Sequence, residues 1–235
     1  MCRGKEFCEV LGTDSTTWSR DCPLPLPEFF SEALEQFTLT VKELSHGNRE
    51  AALAALSTAK AEEVGAFFIE HGQQSAYFRV NDRKKIDQEN KSVKKDNETP
   101  RLNPSLEKDV FKRDCYRCRY CGQRIVAKEV FSEVSRILGP EHFSIERENS
   151  KRNGLTLGLR GVADHVDPYA SGGETEADNL VTSCYSCNFG KAGYTLEQMG
   201  LDDPRMRKPV NDDWNGLTEF LPALREIRQQ RSLNG

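Results

Sequence analysis

Two Cys-x-x-Cys pairs, set 62 residues apart, constrain this chain of 235 residues more than any other feature. The first pair is Cys118 and Cys121, and the second is Cys184 and Cys187. A pair at this spacing offers two thiolates from one tight turn, and two pairs complete the tetrahedral ligand set that zinc prefers. The pairs therefore predict a structural zinc site that joins two distant segments of the chain into one subdomain.

A further cysteine makes the first pair ambiguous, because residues 115–121 contain two overlapping Cys-x-x-Cys spacings. We choose Cys118 and Cys121 because Gly122 follows them, as is common in a zinc knuckle. Cys115 is then expected to be a small, partly buried residue. The remaining cysteines lack knuckle spacing and are expected to be free thiols: Cys2, Cys8 and Cys22.

Length and hydropathy limit the class of protein. A chain of 235 residues suits one domain with an accessory region, or two small domains. No run of 18 apolar residues occurs, so we expect no transmembrane helix and no membrane partner. The N-terminus shows no signal peptide, so the expected location is the cytoplasm, where thiols are reduced. These features favour metal ligation over disulfides for the cysteines.

The net charge of −4 conceals an uneven distribution. Residues 1–78 carry 6 basic and 12 acidic side chains, whereas residues 112–160 carry 11 basic and 6 acidic ones. A basic segment around the cysteines, beside an acidic one, is typical of a local phosphate-binding surface. A merely solvated surface would show the same charges, and this alternative stays open.

Apolar periodicity predicts helices on both sides of the cysteine-containing segment. Residues 28–72 show helical spacing in two or three segments, with a break at 46–48. Residues 81–104 hold few apolar side chains and are typical of a linker or arm. Residues 217–227 predict a C-terminal helix that starts or bends at Pro222. We therefore expect an N-terminal helical region, a polar linker, a cysteine-containing domain and a C-terminal tail: 1–80, 81–108, 109–200 and 201–235.

Between the two cysteine pairs the pattern changes several times. Residues 128–138 carry apolar side chains at helical spacing, and the polar residues 141–153 predict a loop. Residues 155–166 are rich in Leu, Thr and Val, which favours a strand or hairpin. A second short strand is predicted at 179–182, and a helix at 187–196.

An Asp-His dipeptide between the pairs is the strongest candidate for chemistry. The imidazole of His165 can take a proton from water near pH 7, since an unperturbed histidine has a pKa of about 6.5. Magnesium prefers oxygen ligands, so the Asp164 carboxylate and the Asn188 amide could hold it. Adjacent strand residues point to opposite faces, so Asp164 and His165 can serve one metal site only where the strand ends. Asn179 could bond the backbone near His165 and hold the following loop.

These motifs resemble the HNH endonuclease family, also called the ββα-metal or His-Me finger nucleases. The resemblance covers roughly residues 110–196. It consists of an Arg-Asp pair, an Asp-His-x-x-Pro element, a Gly-Gly pair, an Asp-Asn-Leu turn and a Cys-x-x-Cys-Asn-x-x-Lys close. In this chain these are Arg113-Asp114, Asp164–Pro168, Gly172-Gly173, Asp178–Leu180 and Cys184–Lys191.

The resemblance implies an α+β fold with a zinc-stapled ββα-metal (HNH) core, an N-terminal helical region and a C-terminal helical tail. It implies that His165 is the general base, that Asp164 and Asn188 hold a catalytic Mg²⁺ or Mn²⁺, and that Asn179 orients the histidine loop. The expected activity is one-metal hydrolysis of DNA phosphodiester bonds, leaving a 5′-phosphate and a 3′-hydroxyl. Many members carry a histidine where this chain has Asn188, and the amide favours a hard cation there.

DNA is the expected partner, and five basic residues are candidate contacts to it: Arg124, Lys128, Lys151, Arg152 and Lys191. One such site cuts one strand, so cutting both strands would favour a homodimer. Two alternatives stay open. One is a zinc-knuckle module that binds nucleic acid without cutting it, and the other is a structural zinc domain whose acidic helices contact a protein.

Overall fold

The computed structural model describes residue 12, residues 14–71 and residues 102–234. This part of the chain combines nine α-helices with one two-stranded sheet, which confirms the predicted α+β class. The linker predicted at 81–104 lies almost wholly outside the described residues. No helix in the described ranges has both the length and the apolar character that a membrane span requires.

The predicted N-terminal helical unit is present as three α-helices: α1 (Phe29–Ser45), α2 (Arg49–Ser57) and α3 (Ala61–His71). The break expected at 46–48 is observed, and a second break after Ser57 separates α2 from α3. Helix α1 buries one face because its apolar side chains, such as Phe30 and Phe37, recur at helical spacing. The helical prediction for this region is therefore confirmed.

Six α-helices lie in the remainder of the described chain: α4 (Pro104–Arg113), α5 (Lys128–Leu138), α6 (Gly154–Leu159), α7 (Tyr185–Lys191), α8 (Leu196–Met199) and α9 (Leu221–Asn234). Helices α5 and α9 confirm two predicted helices, and α4 crosses the predicted boundary between residues 108 and 109. Helix α7 is shorter than the helix predicted at 187–196, because the chain turns at Ala192 with a φ of 51°.

The prediction of a strand or hairpin at 155–166 is wrong for its first half, which forms α6. Every residue of α6 is buried. Its first residue, Gly154, lies so close to α3 that an added Cβ would be 1.8 Å from the Ala61 carbonyl oxygen. A segment that is buried on all sides shows no helical periodicity, so its Leu and Thr content alone favoured a strand.

The two-stranded sheet follows α6. Strand β1 (Gly161–His165) pairs antiparallel with β2 (Leu180–Cys184), and the register sets Asp164 opposite Val181. His165 ends β1, so the loop 166–179 begins directly after it. Strand β2 leads into α7 without a break. The strand–strand–helix order predicted for the centre of the molecule is therefore observed.

Two apolar cores stabilise the fold. The first, the helical core, consists of most of the buried apolar side chains of α1, α2, α3, α5, α6 and α9, together with Leu24, Ala59, Val126, Ala127, Phe143 and Leu217. Its rings stack across elements, with centroids 5.0 Å apart between Phe37 and Phe131. The helical core therefore joins the N-terminal helices to a helix that lies between the two cysteine pairs.

The second core, the knuckle core, surrounds the cysteines and consists of Cys22, Phe111, Cys118, Tyr120, Ile125, Val166, Val181, Cys184 and Cys187. It lies between α4, the sheet and the start of α7. Residues 109–200 were expected to form a domain of their own, but their apolar side chains belong to both cores. Packing thus crosses the predicted boundary with the N-terminal region.

Candidate active site

The four predicted cysteine ligands come together in the structure. The sulfur atoms of Cys118, Cys121, Cys184 and Cys187 all lie within 4.8 Å of one another. Within the described ranges this is the only group of three or more His, Cys, Asp or Glu ligands that could hold a metal. Cys115 lies outside the group and is partly buried, as predicted. The four sulfur donors fit a tetrahedral zinc ion.

Short backbone contacts hold the first knuckle in place. Gly122 closes the turn with a φ of 77°, a conformation that glycine adopts at little cost, and its N–H donates to the Cys118 carbonyl oxygen at 2.9 Å. The N–H of Arg119 donates to the Thr182 carbonyl oxygen at 2.8 Å. This bond fixes the first knuckle beside β2, whose last residue, Cys184, begins the second knuckle.

Sequence reasoning missed a fifth sulfur at this group. The Cys22 sulfur lies 3.9 Å from the Cys187 sulfur and donates a hydrogen bond to the Leu24 carbonyl oxygen. Cys22 is not part of a disulfide, as predicted, but it is buried in the knuckle core. No spacing signal could have placed it there, because 165 positions separate it from Cys187. Cys2 and Cys8 lie outside the described residues.

Asp164 is the next-to-last residue of β1, and its side chain is buried. The Tyr120 hydroxyl donates to its Oδ2 at 2.7 Å, and the Lys191 ammonium lies 3.3 Å from the same oxygen. Burial raises the pKa of the Asp164 carboxyl, although Lys191 and the Tyr120 hydrogen bond act in the opposite direction. The other oxygen, Oδ1, accepts no hydrogen bond from any residue that the structure describes. Asp164 is therefore fixed through one oxygen, with the second left open.

The side chain of Lys191 is fully buried, with no exposed area. Its ammonium donates to the His165 carbonyl oxygen at 2.7 Å in addition to its ion pair with Asp164. A buried ammonium is tolerated only where charges or oxygen atoms surround it. The predicted DNA contact by Lys191 does not fit this position, because the charge that would meet a phosphate lies inside the protein.

His165, the last residue of β1, directly follows Asp164, and its ring is half-buried. Its Nε2 is 2.9 Å from the Thr175 hydroxyl oxygen, and the Tyr169 ring lies 6.1 Å away between centroids. Burial and, to a smaller extent, the positive charge of Lys191 lower the pKa of His165 below its usual 6.5. The imidazole is therefore neutral at physiological pH, which is the form that can accept a proton.

Asn179 makes the backbone contacts predicted for it. Its Oδ1 accepts a hydrogen bond from the Asp167 N–H at 2.8 Å, and its Nδ2 donates to the carbonyl oxygens of Asp167 and Glu174 at 3.0 and 2.8 Å. Gly173 supports the same turn, since a Cβ there would lie 1.9 Å from the Asp167 carbonyl oxygen. These bonds fix the loop that follows His165.

Asn188 lies in α7, directly after the second cysteine pair, and is half-buried. Its side-chain amide forms no hydrogen bond with the described part of the chain. Asp164 and Asn188 therefore each offer an oxygen atom that has no hydrogen-bond donor among the described residues. Carboxylate and amide oxygens are ligands that a hard divalent cation accepts, so these two residues fit the predicted metal.

The other four candidate DNA contacts have partners inside the protein: Arg124 with Asp212, Lys128 with Glu107, Lys151 with Glu148, and Arg152 with the Glu146 carbonyl oxygen. Arg124 also lies over the Trp214 ring, 5.2 Å from its centroid. The Lys151 side chain remains 59% exposed, so an ion pair does not prevent it from meeting a phosphate. DNA contact by these four residues stays a prediction.

Aromatic side chains of α7 pack against α3 of the N-terminal region. The Phe68 ring of α3 stacks on the Tyr185 ring, with centroids 5.5 Å apart, and meets the Phe189 ring edge-on at 5.3 Å. The Arg160 guanidinium lies 5.7 Å from the Tyr185 centroid. Sequence reasoning did not predict this contact, because nothing in residues 61–71 indicates which helix they meet.

Residues 161–191 form a strand–loop–strand–helix unit beside the four cysteine ligands, an arrangement that resembles the ββα-metal architecture. Residues 160–192 match the family model described as HNH endonuclease, which confirms the family resemblance. The matched segment runs from β1 to α7 and contains Asp164, His165, Asn179 and Asn188. It indicates a nuclease-type function. No curated protein and no solved structure matches the chain.

Proposed function

We propose that this protein is a metal-dependent endonuclease that hydrolyses phosphodiester bonds of DNA. One observation carries the proposal: the segment that matches the HNH endonuclease model holds a neutral, half-buried imidazole next to a buried carboxylate that has one open oxygen. Nucleic-acid binding alone requires neither group. Hydrolysis requires a proton acceptor for water and a cation ligand near the phosphate.

His165 is the general base in this proposal. The Thr175 hydroxyl, 2.9 Å from Nε2, fixes the ring, and in the tautomer that carries its proton on Nε2 the Nδ1 lone pair is left for the proton of the attacking water. The lowered pKa keeps the ring neutral in the resting protein. Asn179 orients this base through the loop that follows it, because its three hydrogen bonds hold the backbone of Asp167 and Glu174.

Asp164 and Asn188 hold the catalytic Mg²⁺ or Mn²⁺. When bound, such an ion neutralises charge on the phosphate and on the leaving oxygen. The four cysteines hold a structural Zn²⁺, and residues 109–200 form the nuclease unit. The products are a 5′-phosphate and a 3′-hydroxyl. Arg124, Lys128, Lys151 and Arg152 contact the DNA backbone, and a homodimer would supply two such sites for a double-strand break.

A plasmid-nicking assay with Mg²⁺ or Mn²⁺ tests this function. We expect His165→Ala to lose about 10²–10⁴-fold in cleavage rate, which is the usual contribution of a general base. The matched control is His142→Ala, since His142 lies in the loop after α5 and its side chain is 41% exposed. Zinc content and DNA affinity should stay at the wild-type level in both variants.

Three outcomes separate the proposal from its alternatives. Equal cleavage by wild type and His165→Ala would remove His165 as the base. A wild type that binds DNA but leaves the plasmid intact would contradict the nuclease and support a zinc-knuckle binding module. A wild type that neither cuts nor binds DNA would support a structural zinc domain.

A further inference from the structure

Tyr120 connects the four-cysteine group to the candidate metal ligand. It lies inside the first knuckle, between Cys118 and Cys121, and is 2% exposed. Its hydroxyl donates to Oδ2 of Asp164 at 2.7 Å, across 44 positions of sequence. The knuckle that carries two zinc ligands therefore also reaches the carboxylate proposed to hold the second metal.

The hydrogen bond from Tyr120 to Asp164 is stronger than a bond between two neutral groups. A buried tyrosine hydroxyl requires a partner, and a carboxylate acceptor makes the bond charge-assisted. A tyrosine hydroxyl is protonated at neutral pH, since its ordinary pKa is about 10, so it remains a donor to the carboxylate. The ring fills the knuckle core, but only the hydroxyl meets Asp164.

Tyr120 affects cation binding through the oxygen of Asp164 that it contacts. Tyr120 and Lys191 approach Asp164 from different elements, and both meet Oδ2. Two donors on one oxygen set the rotation of the carboxylate and leave Oδ1 open. An outer partner that orients a metal ligand in this way commonly contributes 10–100-fold to metal affinity or activity.

We propose that Tyr120 is a positioning residue that turns Oδ1 of Asp164 toward the divalent cation and thereby couples the zinc knuckle to the catalytic metal site. The inference rests on the proposed function in one respect, the assignment of Asp164 as a cation ligand. In this proposal the first knuckle has a second role besides zinc ligation. Tyr120, between its two cysteines, orients the carboxylate of Asp164 for the second metal.

Direct binding of Mn²⁺ to the zinc-loaded full chain, measured by electron paramagnetic resonance, tests the inference without any cleavage reaction. Tyr120→Phe keeps the ring and removes the hydroxyl, so we expect Mn²⁺ affinity to fall by about 10-fold or more. Zinc content and the two-metal stoichiometry of zinc and Mn²⁺ should not change. The matched control is Tyr116→Phe, which removes a hydroxyl from the same loop, near Thr218.

A second variant tests whether Tyr120 acts through Asp164. Asp164→Asn keeps the size of the side chain but weakens it as a cation ligand. In that background, Tyr120→Phe should cause little further loss of Mn²⁺ affinity, because the oriented group has changed. An equal loss in both backgrounds would mean that Tyr120 acts by another route and would overturn the inference.

Other results would also overturn it. Unchanged Mn²⁺ affinity in Tyr120→Phe, or a wild type that binds no Mn²⁺, contradicts a positioning role. Loss of zinc from Tyr120→Phe would make the hydroxyl a structural element of the knuckle instead. Nicking separates the two proposals: a wild type that nicks DNA with Mn²⁺ binding insensitive to Tyr120 refutes only this inference. Tyr120-dependent Mn²⁺ binding without nicking refutes only the nuclease.

Discussion

The helical core and the knuckle core are stabilised in different ways. The helical core is built from aliphatic side chains and stacked rings, including Phe131 and Phe143, whose centroids lie 6.0 Å apart. In the knuckle core, four of the nine buried residues are cysteines. Apolar burial is the main stabilising contribution in the first core. The second has less apolar surface to bury, so metal ligation by the neighbouring cysteines would contribute more to its stability.

The difference follows from what the knuckle core must accommodate. Buried charged groups lie around it, namely Asp114, Arg119, Asp164 and Lys191. Removing such groups from water is costly unless each one is paired, and the network of Arg113, Arg119 and Thr182 around Asp114 meets this requirement. The candidate site thus lies in the core that has less apolar surface to bury, and a zinc ion on the four cysteines would offset that weakness.

Zinc removal should give the largest effect and separate the two cores. A structural zinc site contributes about 10–16 kcal/mol in small zinc domains, so Cys187→Ser or chelation should unfold the knuckle core. Hydrogen exchange should become fast in β1, β2 and α7 and remain slow in α1 and α5. Cys115→Ser, outside the ligand group, is the control. Loss of protection in all helices at once would show that the two cores unfold together.

A cavity in the helical core should give the next largest effect. Phe131→Ala removes a ring that stacks on Phe37 and Phe143, and such truncations cost about 3–5 kcal/mol in free energy of unfolding. Denaturant unfolding measures the loss, and zinc content should be unchanged. Leu39→Ala, at a position 42% exposed on α1, should cost far less. Zinc loss from Phe131→Ala would contradict the separate stabilisation of the cores.

A smaller effect is expected where the C-terminal segment meets the first knuckle. The Asp212 carboxylate accepts hydrogen bonds from Arg117 and also from Arg124, and these lower its pKa to about 2. A depressed folded-state pKa contributes stability that is complete above the unfolded value of about 3.9 and is lost as the pH falls toward 2. The ion pairs therefore act at neutral pH and disappear in acid.

We expect Asp212→Asn to lose about 1 kcal/mol at pH 7, since the carboxylate is partly exposed and solvent weakens its ion pairs. The difference from wild type should shrink between pH 4 and pH 2. Asp213→Asn is the neighbouring control, because Asp213 is exposed. Denaturant unfolding across this pH range measures both variants, and a difference that persists at pH 2 would rule out the ionic origin.

Local patterns made much of the fold predictable. The spacing of Cys118 and Cys121 identified their pair, and apolar repeats identified α1, α5 and α9. The contacts of Asn179 followed from its place before β2. Each of these features depends on residues that lie close together in sequence, so a local sequence pattern is enough to predict it.

Other features depend on contacts between distant segments. Cys22 approaches Cys187 only because the N-terminal segment folds over the knuckle. The sequence makes Lys191 a candidate DNA contact, because nothing local reveals that its ammonium is buried against Asp164 and the His165 carbonyl oxygen. The strand prediction for α6 failed because burial on every side removed the periodicity that distinguishes a helix.

The ring contact between α3 and α7 has a consequence for protein engineering. A fragment cut at residues 109 and 200 would keep Tyr185 and Phe189 but lose Phe68, against which both rings pack. A design that transfers residues 109–200 to another protein must therefore include the N-terminal helices or replace their apolar surface. Substitutions in α3 at this contact would change the packing of α7, and with it the position of Asn188, from outside residues 160–192.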